Sequence, residues 1–93
     1  MWAVLGKVGS FTIAGVDCWF YSHEHRPPHF HARRIGQRHV RVFFQMPESD
    51  MIESVRSHAG RMSRADRDAL CEMAARHRAQ LLGEWEEKMC CDD

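Results

Sequence analysis

Residues 29–44 read His29-Phe30-His31-Ala32-Arg33-Arg34-Ile35-Gly36-Gln37-Arg38-His39-Val40-Arg41-Val42-Phe43-Phe44, and they decide the fold. In an extended chain successive side chains point to opposite faces, so Val40, Val42 and Phe44 share one face and His39, Arg41 and Phe43 the other. The same period groups His29, His31 and Arg33 on one side of the run His29–Arg33. Ile35-Gly36-Gln37 supplies a hairpin tip, and strands joined by so short a connection pair antiparallel. Pairing across the tip brings the two polar sets together as one basic patch with imidazoles at its centre.

Upstream, Pro27-Pro28 stops any ladder, because neither residue donates a backbone hydrogen bond. Val16-Asp17-Cys18-Trp19-Phe20-Tyr21 is β-branched and aromatic, the composition of a strand. Ala14-Gly15 offers a turn before it, Phe11-Thr12-Ile13 alternates, and Gly9-Ser10 breaks a short apolar strand at Trp2-Ala3-Val4-Leu5. Downstream, Met51-Ile52-Glu53-Ser54-Val55 reads as a short strand, with Gly60 at a turn. Ser63 caps a helix, and Asp66 three residues later completes a variant of the capping box. Leu70, Met73, Ala74, His77, Leu81, Leu82, Trp85 and Met89 then fall at steps of three and four, one apolar stripe. A helix over 64–88 is roughly 37 Å long at 1.5 Å per residue. Its stripe must bury against the sheet, the one surface on offer. The expected fold is α+β: a small antiparallel sheet of four or five strands with one long C-terminal helix packed across it. Residues 1–46 form β hairpins, 47–62 a connection, 63–89 the helix and 90–93 a tail. Trp2, Trp19 and Trp85 read as core, as do His77, Cys18 and Cys71; His58 reads as solvated.

A chain of 93 residues holds one domain, 1–93. Hydrophobic residues make up 44% and charged residues 28%, which excludes disorder by composition. No apolar run approaches the ~20 residues of a membrane span. The start carries no basic leader, so the expected location is the cytoplasm and no membrane partner is expected. The formal net charge is zero, yet residues 1–47 carry +4 and residues 48–93 carry −4. The basic half therefore suits an acidic partner better than the whole chain does. None of the cysteines at 18, 71, 90 and 91 forms a Cys-x-x-Cys pair, which argues against a zinc ribbon, and the six methionines and the expected cytoplasmic setting argue for reduced thiols.

Residues 23–31, His23-Glu24-His25-Arg26-Pro27-Pro28-His29-Phe30-His31, hold four of the seven histidines. With Phe20-Tyr21-Ser22 before them and Leu81-Leu82 and Trp85 after, they make the chain resemble a small bacterial domain-of-unknown-function family, four-one-six-zero. The motif that carries the resemblance is Glu24-His25, then Pro27-Pro28-His29, then His31, and the likeness runs over about residues 10–88. His23 stands where a small polar residue is more usual. The resemblance implies an aromatic strand, a hairpin and a C-terminal helix, and a place in toxin–antitoxin or other defence-type loci.

Three chemistries fit the motif. His29 and His31, two apart on a strand, reach one ion together, and His25 or Glu24 supplies a third ligand for zinc or another divalent metal. Glu24 is then the base or outer-shell partner of a metal-dependent hydrolase or nuclease, the candidate catalytic residue. Without metal, His29 and His31 serve as base and acid, and Arg33 or Arg41 holds a phosphate. In the third chemistry Arg26, His29, His31, Arg33, Arg34, Arg38, His39 and Arg41 form a binding surface, with Tyr21 and Phe30 nearby. Such a surface suits an acidic protein, a nucleoprotein complex or nucleic acid directly. The reading preferred from the sequence is a non-catalytic binding module with no resident cofactor, acting through this His/Arg-rich hairpin. A phage-type inhibitor of a nucleoprotein defence complex is the remaining alternative.

Overall fold

The computed structural model describes residues 4–21, 27–34, 39–54 and 62–89. Five strands, β1 (Val4–Lys7), β2 (Val16–Tyr21), β3 (Phe30–Arg34), β4 (Val40–Val42) and β5 (Ile52–Ser54), are followed by α1 (Arg64–Arg76) and α2 (Arg78–Met89). The strands lie side by side in chain order, each antiparallel to the next, so the sheet is a simple meander. A single 3-10 turn at Glu48–Asp50 leads into β5. The α+β class and the antiparallel sheet are as expected, with β5 at the stretch read as a short strand. Ile35-Gly36-Gln37, Gly60, His58, Trp2 and the 90–93 tail lie outside the described residues.

Alternation sorts the sheet into two faces. Val16, Cys18 and Phe20 of β2, Phe30 and Ala32 of β3, and Val40 and Val42 of β4 are buried in one cluster with Leu70, Ala74, Leu81 and Trp85 of the helices. Phe44 and Met51, either side of the 3-10 turn, close its end. The helical period carries Leu70, Ala74, Leu81 and Trp85 onto the sheet as the stripe requires. Burial, helped by the charge of Asp17, pushes the Cys18 thiol up to about 12, and burial raises Cys71 as well. Both are inert core residues.

The expected single helix is divided. At His77 the backbone leaves helical dihedrals (φ −112°, ψ 25°), and the chain resumes as α2. The break is mild, because the His77 N–H still bonds the Met73 carbonyl (3.0 Å) and the Leu81 N–H bonds the His77 carbonyl (2.8 Å). That continuity keeps the stripe in phase across the break. At this position the His77 ring stacks on Phe11 at 5.9 Å, and its Nδ1 meets Gln80 Oε1 at 2.6 Å. These contacts hold the ring at the break, as a packed histidine rather than a ligand.

Arg34, at the end of β3, ties three elements together. Its Nε and Nη2 donate to the two oxygens of Asp66 at 2.7 and 3.0 Å, and Nη2 also donates to the Ala14 carbonyl at 3.0 Å. The Asp66 N–H in turn donates to the Ser63 hydroxyl (3.1 Å), which completes the cap expected at the start of α1. Gly15 turns the chain beside this fork with φ +79°, and a Cβ there would lie 2.2 Å from Arg34 Nη1. The turn therefore needs glycine for its backbone and for the space. On the opposite side Glu84 of α2 accepts from the Gly9 N–H (2.7 Å) and from the Ser10 hydroxyl, fastening the β1–β2 connection to the helix.

Two outcomes follow from this packing. Trp85 is 2% exposed and lies 6.4 Å from the Phe20 ring. Trp85→Ala is expected to cost about 3–5 kcal/mol, read from urea unfolding midpoints. The Arg34 fork holds the Asp66 carboxyl below the usual carboxylate range. Its stabilising contribution is complete at neutral pH and is lost as pH falls through that lowered value. Asp66→Asn should therefore be clearly less stable than wild type at neutral pH. The gap should shrink on acidification, as followed by thermal unfolding across the acid range.

Candidate functional site

β3 is the middle strand, and both of its neighbours place a side chain beside His31. Trp19 of β2 and Arg41 of β4 are its register partners, and all three point away from the helices. The face opposite the core is therefore built from Asp17, Trp19 and Tyr21 of β2, His31 and Arg33 of β3, and His39, Arg41 and Phe43 on and beside β4. Trp19 was expected in the core. It belongs to this outer face because it alternates with the buried Cys18 and Phe20, and it is half-exposed. Phe30, expected near the binding surface, is buried on the helix side instead.

The rings of the outer face pack on one another. Trp19 stacks on His31 at 5.8 Å with planes 21° apart, and lies 5.1 Å from His39. Tyr21 meets His31 edge-on at 4.6 Å and Trp19 at 5.7 Å. His31 Nδ1 and His39 Nε2 are 2.8 Å apart, a hydrogen bond in which one ring donates and the other accepts. His29 sits at the end of β3, where the two layers meet. Its Nδ1–H donates to the Pro27 carbonyl at 2.9 Å, and its ring contacts His31 (5.3 Å), Phe43 (5.0 Å) and Trp85 (5.5 Å). His29 and His31 are each only 4% exposed, although no helix covers this side of β3 among the described residues.

The charges differ from the basic patch expected. Arg41 Nη1 donates to Glu53 Oε1 of β5 at 2.8 Å, and Arg33 is paired across the strands with Asp17. Lys7 of β1 stands opposite Trp19. Among the described residues, three cations thus face two carboxylates on this surface. Arg34 points to the other side of the sheet, into its fork with Asp66, so it is a structural residue and not part of the face. Of the remaining binding candidates, Arg26 and Arg38 lie outside the described residues, as do Glu24 and His25 of the hydrolase reading. Among the described residues no three His, Cys, Asp or Glu side chains are arranged to hold one metal ion. Beside the rings, Pro27, Phe43, Met46, Asp50 and Glu53 line an open groove of about 250 Å³.

The structure thus brings His29, His31, Arg33, His39 and Arg41 together and separates Arg34 from them. The place of Trp19 on this face follows from the same two-residue period in β2 that sets Arg41 and Phe43 there in and beside β4.

The model of a family described as a domain of unknown function (DUF4160) matches residues 15–86. The chain belongs to this family. No curated protein and no solved structure matches the chain. The DUF4160 match runs from the glycine turn before β2 into α2, so it takes in the ring cluster, the Arg34–Asp66 fork and Trp85. Within the described residues no helix is long and apolar enough to cross a membrane.

The ring cluster makes an outcome for stability that separates its centre from its rim. His31→Ala removes a buried ring with four ring neighbours and is expected to cost about 2 kcal/mol, whereas Arg33→Ala at the exposed rim should stay within about 0.5 kcal/mol of wild type. Chemical denaturation of the two variants side by side checks this.

Proposed function

We propose that this DUF4160 chain is a small, non-catalytic binding module that takes a protein partner on the outer face of its sheet. The observation that carries the reading is the set of half-exposed rings, Trp19, Tyr21, His39 and Phe43, standing around the buried His31 with arginines beside them. Aromatic residues and arginine are the side chains that concentrate at the centres of protein interfaces, where they give large contact area at low conformational cost. The groove next to Phe43, with the exposed Met46 on its wall, offers a place for an apolar side chain of the partner. Among the described residues three cations of the face stand with two carboxylates, and this near-balance favours a protein over nucleic acid, whose phosphates call for a surplus of cations. The setting proposed is the bacterial cytoplasm and a toxin–antitoxin or defence-type locus, on the family resemblance.

The test is a pull-down from host lysate with wild type and with the double variant Arg33→Glu and Arg41→Glu, using circular dichroism to check folding. The double variant is expected to lose the captured partner while keeping the wild-type spectrum. Its capture at equal yield would remove the outer face from consideration. A capture that weakens steeply with added salt, with a slope of several counterions, would turn the reading to nucleic acid.

A further inference from the structure

The groove of about 250 Å³ lined by Pro27, Phe43, Met46, Asp50 and Glu53 combines an aromatic ring, a thioether and two carboxylates. We propose that it holds a long basic side chain, an arginine or a lysine, carried by the protein partner of the outer face. The inference rests on the reading that this face takes a protein, and it names what that protein offers beside Phe43 and the last strand of the sheet.

Charge selects the sign of the occupant. Residues 42–54 supply four of the five lining residues, and they carry Glu48, Asp50 and Glu53 with no lysine or arginine. Glu53 gives only its Oε1 to Arg41, at 2.8 Å, and its side chain is 56% exposed. Asp50 is exposed and enters no ion pair among the described residues. Arg78 touches the same turn, but it donates to the Met46 carbonyl at 3.1 Å and not to either carboxylate. The groove thus keeps negative charge that the neighbouring cations do not use.

The apolar part selects its shape. Met46 is 39% exposed, the one large hydrophobic side chain so exposed among the described residues. Phe43 is half-exposed, its ring lies 5.0 Å from that of His29, and its N–H bonds the Met51 carbonyl at 2.7 Å. The Met46 N–H bonds the Phe43 carbonyl at 3.0 Å, so one turn presents both side chains. A wholly apolar occupant would strip water from the carboxylates without offering a counter-charge. A basic side chain answers both parts, with its methylene stem on Phe43 and Met46 and its charged head at Asp50 and Glu53. Arginine is the better fit, because a guanidinium stacks on a ring and also forks onto a carboxylate. A bare divalent ion is not the occupant, because among the described residues no third metal-ligating side chain joins the two carboxylates.

The experiment is titration of the nitrogen-15-labelled full chain with N-acetylarginine amide and with N-acetylnorleucine amide, which keeps the stem and lacks the charge. The arginine amide is expected to shift the backbone signals of Phe43, Met46, Asp50 and Glu53, and to bind at least about threefold more tightly than the norleucine amide. The double variant Asp50→Asn and Glu53→Gln should bind the two amides alike, while Glu72→Gln, on the exposed side of α1, should keep the preference. Equal binding of the two amides by wild type, a preference retained by the folded double variant, or shifts confined to other residues would each overturn the proposal. If the double variant does not fold, the comparison of the two amides on wild type decides. The result separates from that of the pull-down. No preference for arginine, in a chain that loses its partner on Arg33→Glu with Arg41→Glu, removes the groove and keeps the outer face.

Discussion

The central strand of this sheet is buried on both sides, and the rest of the structure answers to that constraint. Phe30 and Ala32 are closed off by the helices, and His31 between them is closed off from the other side. A strand covered twice needs two layers of apolar or aromatic matter. The helices provide one. The chain has no further helix among its described residues to provide the other, and it uses rings from the two adjacent strands instead. Imidazole suits that position because it is flat enough to stack, partly apolar, and able to bond a neighbour through its Nδ1. His31 does so with His39, and His29 with the Pro27 carbonyl. The diproline turn thus supplies more than a strand stop: its carbonyl fixes which nitrogen of His29 carries the proton.

Much of this was legible in the sequence. The two-residue period of Val40, Val42 and Phe44 placed the core face of β4 correctly, and the three–four spacing of Leu70, Ala74, Leu81 and Trp85 placed the helical stripe. Both patterns report burial directly, and burial is what hydrophobic periodicity encodes. The break at His77 was not legible, because a one-residue departure that preserves the flanking hydrogen bonds leaves the apolar spacing intact. The partners of the charges were not legible either. Arg33 and Arg34 are identical neighbours in the sequence, and only the strand's alternation and the position of Asp66, 32 residues away, assign one to solvent and the other to a fork. Glu53 likewise offsets Arg41 from a strand whose place in the sheet was not fixed by short-range pattern. Among the described residues, the sheet brings Asp17 and Glu53 beside the arginines of the expected patch, which short-range pattern does not show.

The outer face combines features usually kept apart. Its centre is as buried as a core, yet it is made of groups that hydrogen-bond, and its rim is half-open to solvent. Such a surface is organised before anything binds to it, because the rings hold one another. A partner would meet preset shapes and pay little to order them.

Arg33 and Arg34 lie side by side in β3 and serve opposite sides of the sheet, with consequences for how the chain finds its pairing. If β3 slid by a single residue against β2, Arg33 would be aimed at the helices and Arg34 at solvent. His31 would enter the core in place of Ala32 or Phe30. Hydrophobic pattern already opposes that slip, because it would expose Phe30 and Ala32 and bury Arg33. The room beside Gly15 and the Asp66 carboxylate at the start of α1 receive the guanidinium of Arg34 and not that of Arg33. They act as a keyway, checking the alignment of the strand from outside it once the helix has docked.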